Sequence, residues 1–275
     1  MRKTLYPDSG SPYEDAAVLQ NAAQFSTATR AHSAQLILQQ SLDVSSKHEL
    51  SFLTIEAFME FMTSTEDMLG WLFTLQEWQP GNAEFSLLLL LNRIEVGRKN
   101  KKLGVDYTEA RAVSLLSNLN GQSFRELIHI PNQDDLIASG ISTDLAETIK
   151  NSLPLKLEGW HQMASKRAEQ DRGWVHAFNK LKHQMLAFPT QEHNKDEVWL
   201  PSHITFQKKT NRILLEKAWL EVNINRVRRW AGDAIGAQAV LQDTLALILL
   251  TRYGIKFDVP QWVIKAYETD YIWKQ

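Results

Sequence analysis

The sequence predicts an all-α protein, an antiparallel multi-helix bundle of seven to nine helices. Glycine and proline are scarce, 12 and 8 in 275 residues, so the chain has few forced breaks and favours long helices over a turn-rich β fold. Several long stretches carry apolar residues at spacings of three and four, the mark of one buried helical face. Strand-type alternation is rare and shows weakly only around residues 198–206.

Taken in order, residues 1–13 carry Pro7, Gly10 and Pro12 among Ser and Asp. They read as a flexible N-terminal segment ahead of a single all-α domain over 14–275. Residues 14–43 are rich in Ala, Leu and Gln and lack Gly and Pro, which predicts helix with a break near 26–29. Residues 51–79 form a second long helix, stopped by Pro80-Gly81, with Phe52, Ile55, Met59, Met62, Leu69 and Phe73 as its apolar stripe. Glu56, Glu60, Thr63 and Asp67 line another side of it.

Residues 85–96 read as a short buried helix and 99–102 as a basic exposed turn. Asp106-x-x-Glu109 and Ser123-x-x-Glu126 match the capping-box pattern. Two short helices are expected around Gly140, at 134–138 and 142–153, the second ending before Pro154. A central helix follows, from about 157 to 188, then a polar loop over 190–203. Helices at 206–230 and 233–253 are separated near Gly232. The aromatic tail from Phe257 onward is expected to pack back on the body.

Thirty basic against 32 acidic residues give a net charge of −2, so any nucleic-acid contact must be a local patch. The absence of cysteine excludes disulfides, thiolate metal sites and Cys nucleophiles, and fits a reducing, cytoplasmic setting. The longest apolar runs, 87–91 and 245–250, fall far short of the ~20 residues of a membrane span, and no membrane partner is expected. His176 and His183 stand at i, i+7 rather than at the i, i+4 of a helical zinc site, and no HExxH occurs. No metal or cofactor is expected.

The richest polar constellation lies on the central helix. Trp174, Phe178, Leu181, Met185 and Phe188 are spaced 4, 3, 4 and 3 and form one apolar stripe. His176, Asn179, Lys180 and His183 fall on the opposite side. A solvated helix face accounts for them equally well, although most such faces use Glu/Lys pairs. Arg226, Arg228 and Arg229 form a basic cluster, read as cations complementing the last turn of a helix, with an RNA or phosphate contact as the alternative. Gly140-Ile141-Ser142 with Ala146 and Ile149 has the outline of a nucleic-acid-gripping helix-hairpin-helix, but Asp144 beside it opposes phosphate, and plain helix packing is preferred.

The run Phe178-Asn179-Lys180-Leu181-Lys182-His183 resembles the signature helix of HEPN-type domains, all-α modules common in prokaryotic defence and toxin–antitoxin systems. Their hallmark is an Arg, a polar residue, three further residues and a His. Asn179 and His183 match it, and Phe178 stands in the Arg slot. The resemblance implies a HEPN-like core over roughly 51–253 that cleaves or binds RNA, or is catalytically degenerate. As an enzyme it would be a metal-independent endoribonuclease working as a homodimer. His183 would carry the proton, Asn179 would orient, and Asp67, beside Glu66 on the earlier helix, would hold the His. Lys180 or Lys182 would supply the charge that Phe178 lacks, and His176, Arg226 and Arg229 would add phosphate contacts. The alternative is a non-enzymatic protein-interaction or structural helical module with a protein partner.

Overall fold

Two helices that run on through Pro154 and Gly232, and a hairpin where a helix is expected, are the main features of the chain. The computed structural model describes residues 12–91, 114, 117–118, 121–168, 172–182, 188–189 and 196–255. The elements are α1 (Pro12–Asn21), a π-helical turn (Ala22–Ser26), α2 (Thr27–Gln40), α3 (Lys47–Glu77) and a 3-10 turn (Ala83–Phe85). There follow α4 (Gly121–Leu127), α5 (Gln133–Ala138), α6 (Thr143–Ala168) and α7 (Arg172–Leu181). Then come β1 (Phe188–Pro189), β2 (Glu197–Gln207), β3 (Arg212–Glu221) and α8 (Ile224–Tyr253). The chain is predominantly helical, as its composition predicts, with one small three-stranded antiparallel sheet in the order β1-β2-β3. The expected basic turn at 99–102, the capping box at 106–109, the lead-in up to residue 11 and the aromatic tail lie outside the described residues.

The described residues form two compact units, one drawn from 12–29, 66–168 and 237–255, the other from 30–65 and 172–236. In the first unit Leu72 and Leu75 of α3 and Trp78 just past its end are buried, as are Leu87, Trp160, Leu245 and Leu249. Asp15, only 2% exposed, accepts hydrogen bonds from Trp78 Nε1 and from the Leu87 backbone N–H, both at 2.8 Å. One carboxylate thereby satisfies two buried donors, each of which would be costly unpaired. Gln242 donates to the Ala23 carbonyl at 2.7 Å, supplying a partner for a backbone oxygen of the π-turn. That turn sits close to the break expected near 26–29.

The α5–α6 connection shows why Gly140 is where it is. Asn132 and Asp135 form a reciprocal capping box at the start of α5. At its end the Ile141 N–H reaches the Leu136 carbonyl at 3.1 Å and the Gly140 N–H reaches the Ile137 carbonyl at 2.9 Å. This is a Schellman closure, and it needs the left-handed φ of +84° that Gly140 adopts. The expected stop before Pro154 is absent, because α6 continues to Ala168. Proline removes one N–H, but burial of Ala146, Trp160, Met163 and Ala164 on either side of it outweighs that loss. Ser123 lies inside α4 rather than at its N-cap, so the second capping-box reading fails.

In the second unit Phe58 is the centre of an aromatic cluster. Its ring lies 5.9 Å from Trp174, 6.4 Å from Phe178 and 5.6 Å from Trp230, and Phe61 stacks on Trp230 at 6.1 Å. α7 packs against β2 and β3, whose Val198, Leu200, Ala218 and Leu220 are buried. Phe52, expected in the stripe of the second long helix, is 56% exposed and meets the His48 ring edge-to-face at 4.7 Å.

The expected helix over 206–230 is replaced by β3 and the first turns of α8. No break occurs at Gly232, because Ala231, Ala234, Ile235 and Ala237 around it are buried, which offsets the helix cost of one glycine. α8 is long and apolar enough to cross a membrane by length and composition, with a mean hydropathy of 1.5 in its most apolar window, yet 72% of that window is buried inside the protein. Its apolar character is thus accounted for by core packing.

Candidate functional site

Only part of the central-helix constellation stands as its spacing predicts: the expected helix over 157–188 is divided between α6 and α7, α7 ends at Leu181, and Phe188 belongs to β1. Phe178 is fully buried, while His176 and Asn179 are exposed and Lys180 is half-buried on the other side of α7. Trp174 and Leu181 are half-buried. Lys182 is exposed and sets its Nζ 4.4 Å from the centroid of the Phe178 ring. His183 and Met185 lie outside the described residues. Asp67 belongs to the other unit, where its carboxylate accepts a hydrogen bond from Gln238 Nε2 at 3.1 Å.

The basic cluster is placed differently from its reading. Arg226, Arg228 and Arg229 occupy the start of α8, not the last turn of a helix. Cations are disfavoured by the macrodipole at that end, so they need other partners. Arg226 pairs with Glu221 at 3.0 Å and lies 5.5 Å over the Trp230 ring. Arg228 donates to the Ser41 carbonyl at 3.0 Å and to its hydroxyl at 3.2 Å. Arg229 is exposed. Asn223 caps the helix, accepting from the Asn225 N–H at 2.9 Å.

What the sequence reading misses is the hairpin surface. β2 and β3 pair from Glu197↔Glu221 to Gln207↔Arg212, with a register shift between Pro201 and His203. Proline cannot donate to a ladder and a bulge is where a strand tolerates it. Because side chains alternate, Trp199, Ile204 and Phe206 share one face of the sheet with Trp219, Leu215 and Ile213. The buried residues Val198, Leu200, Ala218 and Leu220 take the opposite face.

Beyond the bulge the hairpin is open to solvent, and Trp219 before it is exposed too. Ile204 is 39% exposed, Phe206 55%, Ile213 70%, Leu215 38% and Trp219 41%. Lys217 lies over Trp199 at 4.5 Å and Trp219 at 5.7 Å, and Lys208 and Lys209 stand in the turn that closes the hairpin. This is a contiguous apolar face rimmed by cations, the composition of a contact surface rather than of a solvated one. The signals for it are the weak alternation at 198–206 and the polar stretch at 207–211 between two apolar runs.

A cavity in the first unit, lined by Arg125, Ile130, Gln133, Leu136, Lys150 and Leu247 among others, measures about 20 Å³, room for about one water and too little for an organic substrate. No family model, curated protein or solved structure matches this chain.

Proposed function

We propose that this chain is a non-enzymatic protein-interaction module that docks through the exposed part of the β2–β3 hairpin, residues 203–217. The observation that carries this is the run of large apolar side chains left in water there, Ile213 at 70% and Phe206 at 55% above all. Covering each such side chain gains roughly 1.5–3 kcal/mol, a strong drive to associate. Phe178 supports the same reading from the other side. It is a core residue held edge-on against Phe58, so the position where a HEPN-type nuclease carries its catalytic Arg serves packing in this chain.

The rival reading is a HEPN-like protein that acts on RNA in a defence or toxin–antitoxin setting. It is favoured by the exposure of Asn179 and His176 on one side of α7. The two readings separate in one experiment. The full chain is incubated with single-stranded RNA, and a photo-crosslinking residue is placed at Ile213 or, as control, at His176. The interaction reading expects intact RNA and crosslinks to a defined protein from position 213 only. RNA cleavage that His183→Ala removes, with no crosslink from 213, would overturn it in favour of the rival.

A further inference from the structure

We propose that the partner on this hairpin is a second copy of the chain, which adds its β3 to the free edge of β3 in an antiparallel, two-fold register; the proposal rests on the interaction reading above. Among the described residues β3 is the last strand of the sheet, and alternate N–H and C=O groups along it point away from β2 with no ladder partner there. Residues 212–216 are all exposed, and the three apolar ones point to both faces of the sheet: Ile213 (70%) and Leu215 (38%) to one, Leu214 (47%) to the other. A partner laid flat on one face would cover Ile213 and Leu215 and leave Leu214 in water. A strand added at the edge meets all three.

The charge pattern selects the occupant. The segment reads Arg-Ile-Leu-Leu-Glu, and reversed it reads Glu-Leu-Leu-Ile-Arg. An antiparallel pair centred on Leu214 therefore sets Leu214 against Leu214, Ile213 against Leu215 and Arg212 against Glu216 of the second copy, twice over by symmetry. Neither Arg212 nor Glu216 makes a salt bridge within the chain among the described residues, so both are available. The neighbouring registers are worse. Centring on Ile213 or Leu215 sets Arg212 or Glu216 against a leucine, and centring on Glu216 sets two carboxylates face to face. The same antiparallel arrangement places the two Lys208-Lys209 turns at opposite ends, apart from one another. The free stretch of β2, His203 to Gln207, carries no opposite-charge pair and so has no comparable self-match.

The test is size-exclusion chromatography with light scattering on the full chain across the micromolar range, for wild type, Arg212→Glu, Glu216→Arg and the double exchange. Wild type is expected to dimerise with concentration. Either single reversal turns two symmetry-related attractions into repulsions and weakens the dimer roughly tenfold or more, and the double exchange restores it. Circular dichroism confirms that each variant is folded, and Leu214→Lys gives a monomer by an independent route. A monomeric wild type, or a dimer indifferent to both single reversals, overturns the proposal. If the chain is monomeric but position 213 crosslinks to another protein, self-pairing falls while the interaction reading stands. If position 213 crosslinks to nothing, both fall.

Discussion

Arg252 sets its Nη2 3.0 Å from Nδ1 of His129, a cation against the ring nitrogen of an imidazole. That nitrogen can only accept, so the contact requires the neutral ring. Burial of the imidazole, and then the nearby Arg252 charge, hold the His129 pKa below its ordinary 6.5, while the Leu75 and Trp78 carbonyls pull the other way. The ring meets Trp78 edge-on at 4.9 Å, and Arg252 lies 5.4 Å over the same indole. His129 itself is held at a left-handed φ of 58°.

This geometry makes stability depend on pH. Below 6.5 the unfolded His129 takes up a proton that the folded one still refuses, so the unfolded state binds more protons. The contribution is complete above 6.5 and is lost as pH falls through the depressed folded value. Chemical denaturation of wild type and His129→Asn, a residue that tolerates positive φ, checks it: wild type is expected to lose more stability on acidification. An identical acid loss in both would sink the assignment. Tyr253 acts at the opposite end of the scale. Burial, and then the Asp15 charge, push its hydroxyl up to about 12, so stability present below 10 is lost as pH rises towards 12. Tyr253→Phe is expected to flatten that alkaline loss.

The α7 packing gives a second prediction. Phe178 is fully buried against Phe58, and its removal leaves a cavity in the aromatic cluster. Phe178→Ala is expected to cost about 3–5 kcal/mol in denaturant unfolding, and Lys180→Ala less than about 0.5. Similar small effects from both would mean that α7 presents a different side to the core.

These two residues also show what the sequence makes legible. Phe178 and Lys180 are sorted correctly because α7 has one wet side and one dry side, and period 3.6 reports that contrast. The long helix at 51–79 is readable for the same reason, whereas residues 26–29, expected to break the first helix, stay helical behind the π-turn at Ala22–Ser26. The strand at 212–221 is not. A strand betrays itself by alternation when one face is buried, but only Ala218 and Leu220 of β3 are buried, and Ile213, Leu214 and Leu215 follow one another in water. That consecutive run fits a helix as readily as a strand. Pro154 and Gly232 mislead because a local breaker signal carries no information about the burial that overrides it. The hairpin surface is hidden for a related reason, since exposure of an apolar residue is a property of the fold and leaves no periodic trace.

Asp15 offers a third test. Its two oxygens separately serve Trp78 Nε1 and the Leu87 N–H, joining α1 to the end of α3 and to the segment after it. Asp15→Ala leaves two buried donors unpaired, at about 1–3 kcal/mol each. Asp15→Asn keeps one acceptor oxygen and is expected to lose roughly half as much. If both substitutions prove neutral, water reaches these donors and the carboxylate is dispensable.

Glycine substitutions separate backbone strain from packing, because Gly140, Gly70 and Gly232 each have nothing within 4 Å of where a Cβ would lie. The three sites therefore differ in backbone conformation, not in room for a methyl. Gly140 sits at φ +84°, where an L residue is strained by roughly 1–2 kcal/mol, so Gly140→Ala is expected to destabilise by about that amount. Gly70 and Gly232 lie inside α3 and α8, where alanine fits the backbone without strain and narrows the unfolded ensemble. Gly70→Ala and Gly232→Ala are each expected to stabilise by about 0.5–1 kcal/mol. Thermal unfolding of the three variants reads the signs directly. Destabilisation by Gly232→Ala would mean that α8 bends or parts at that residue after all, as its place in the sequence suggests.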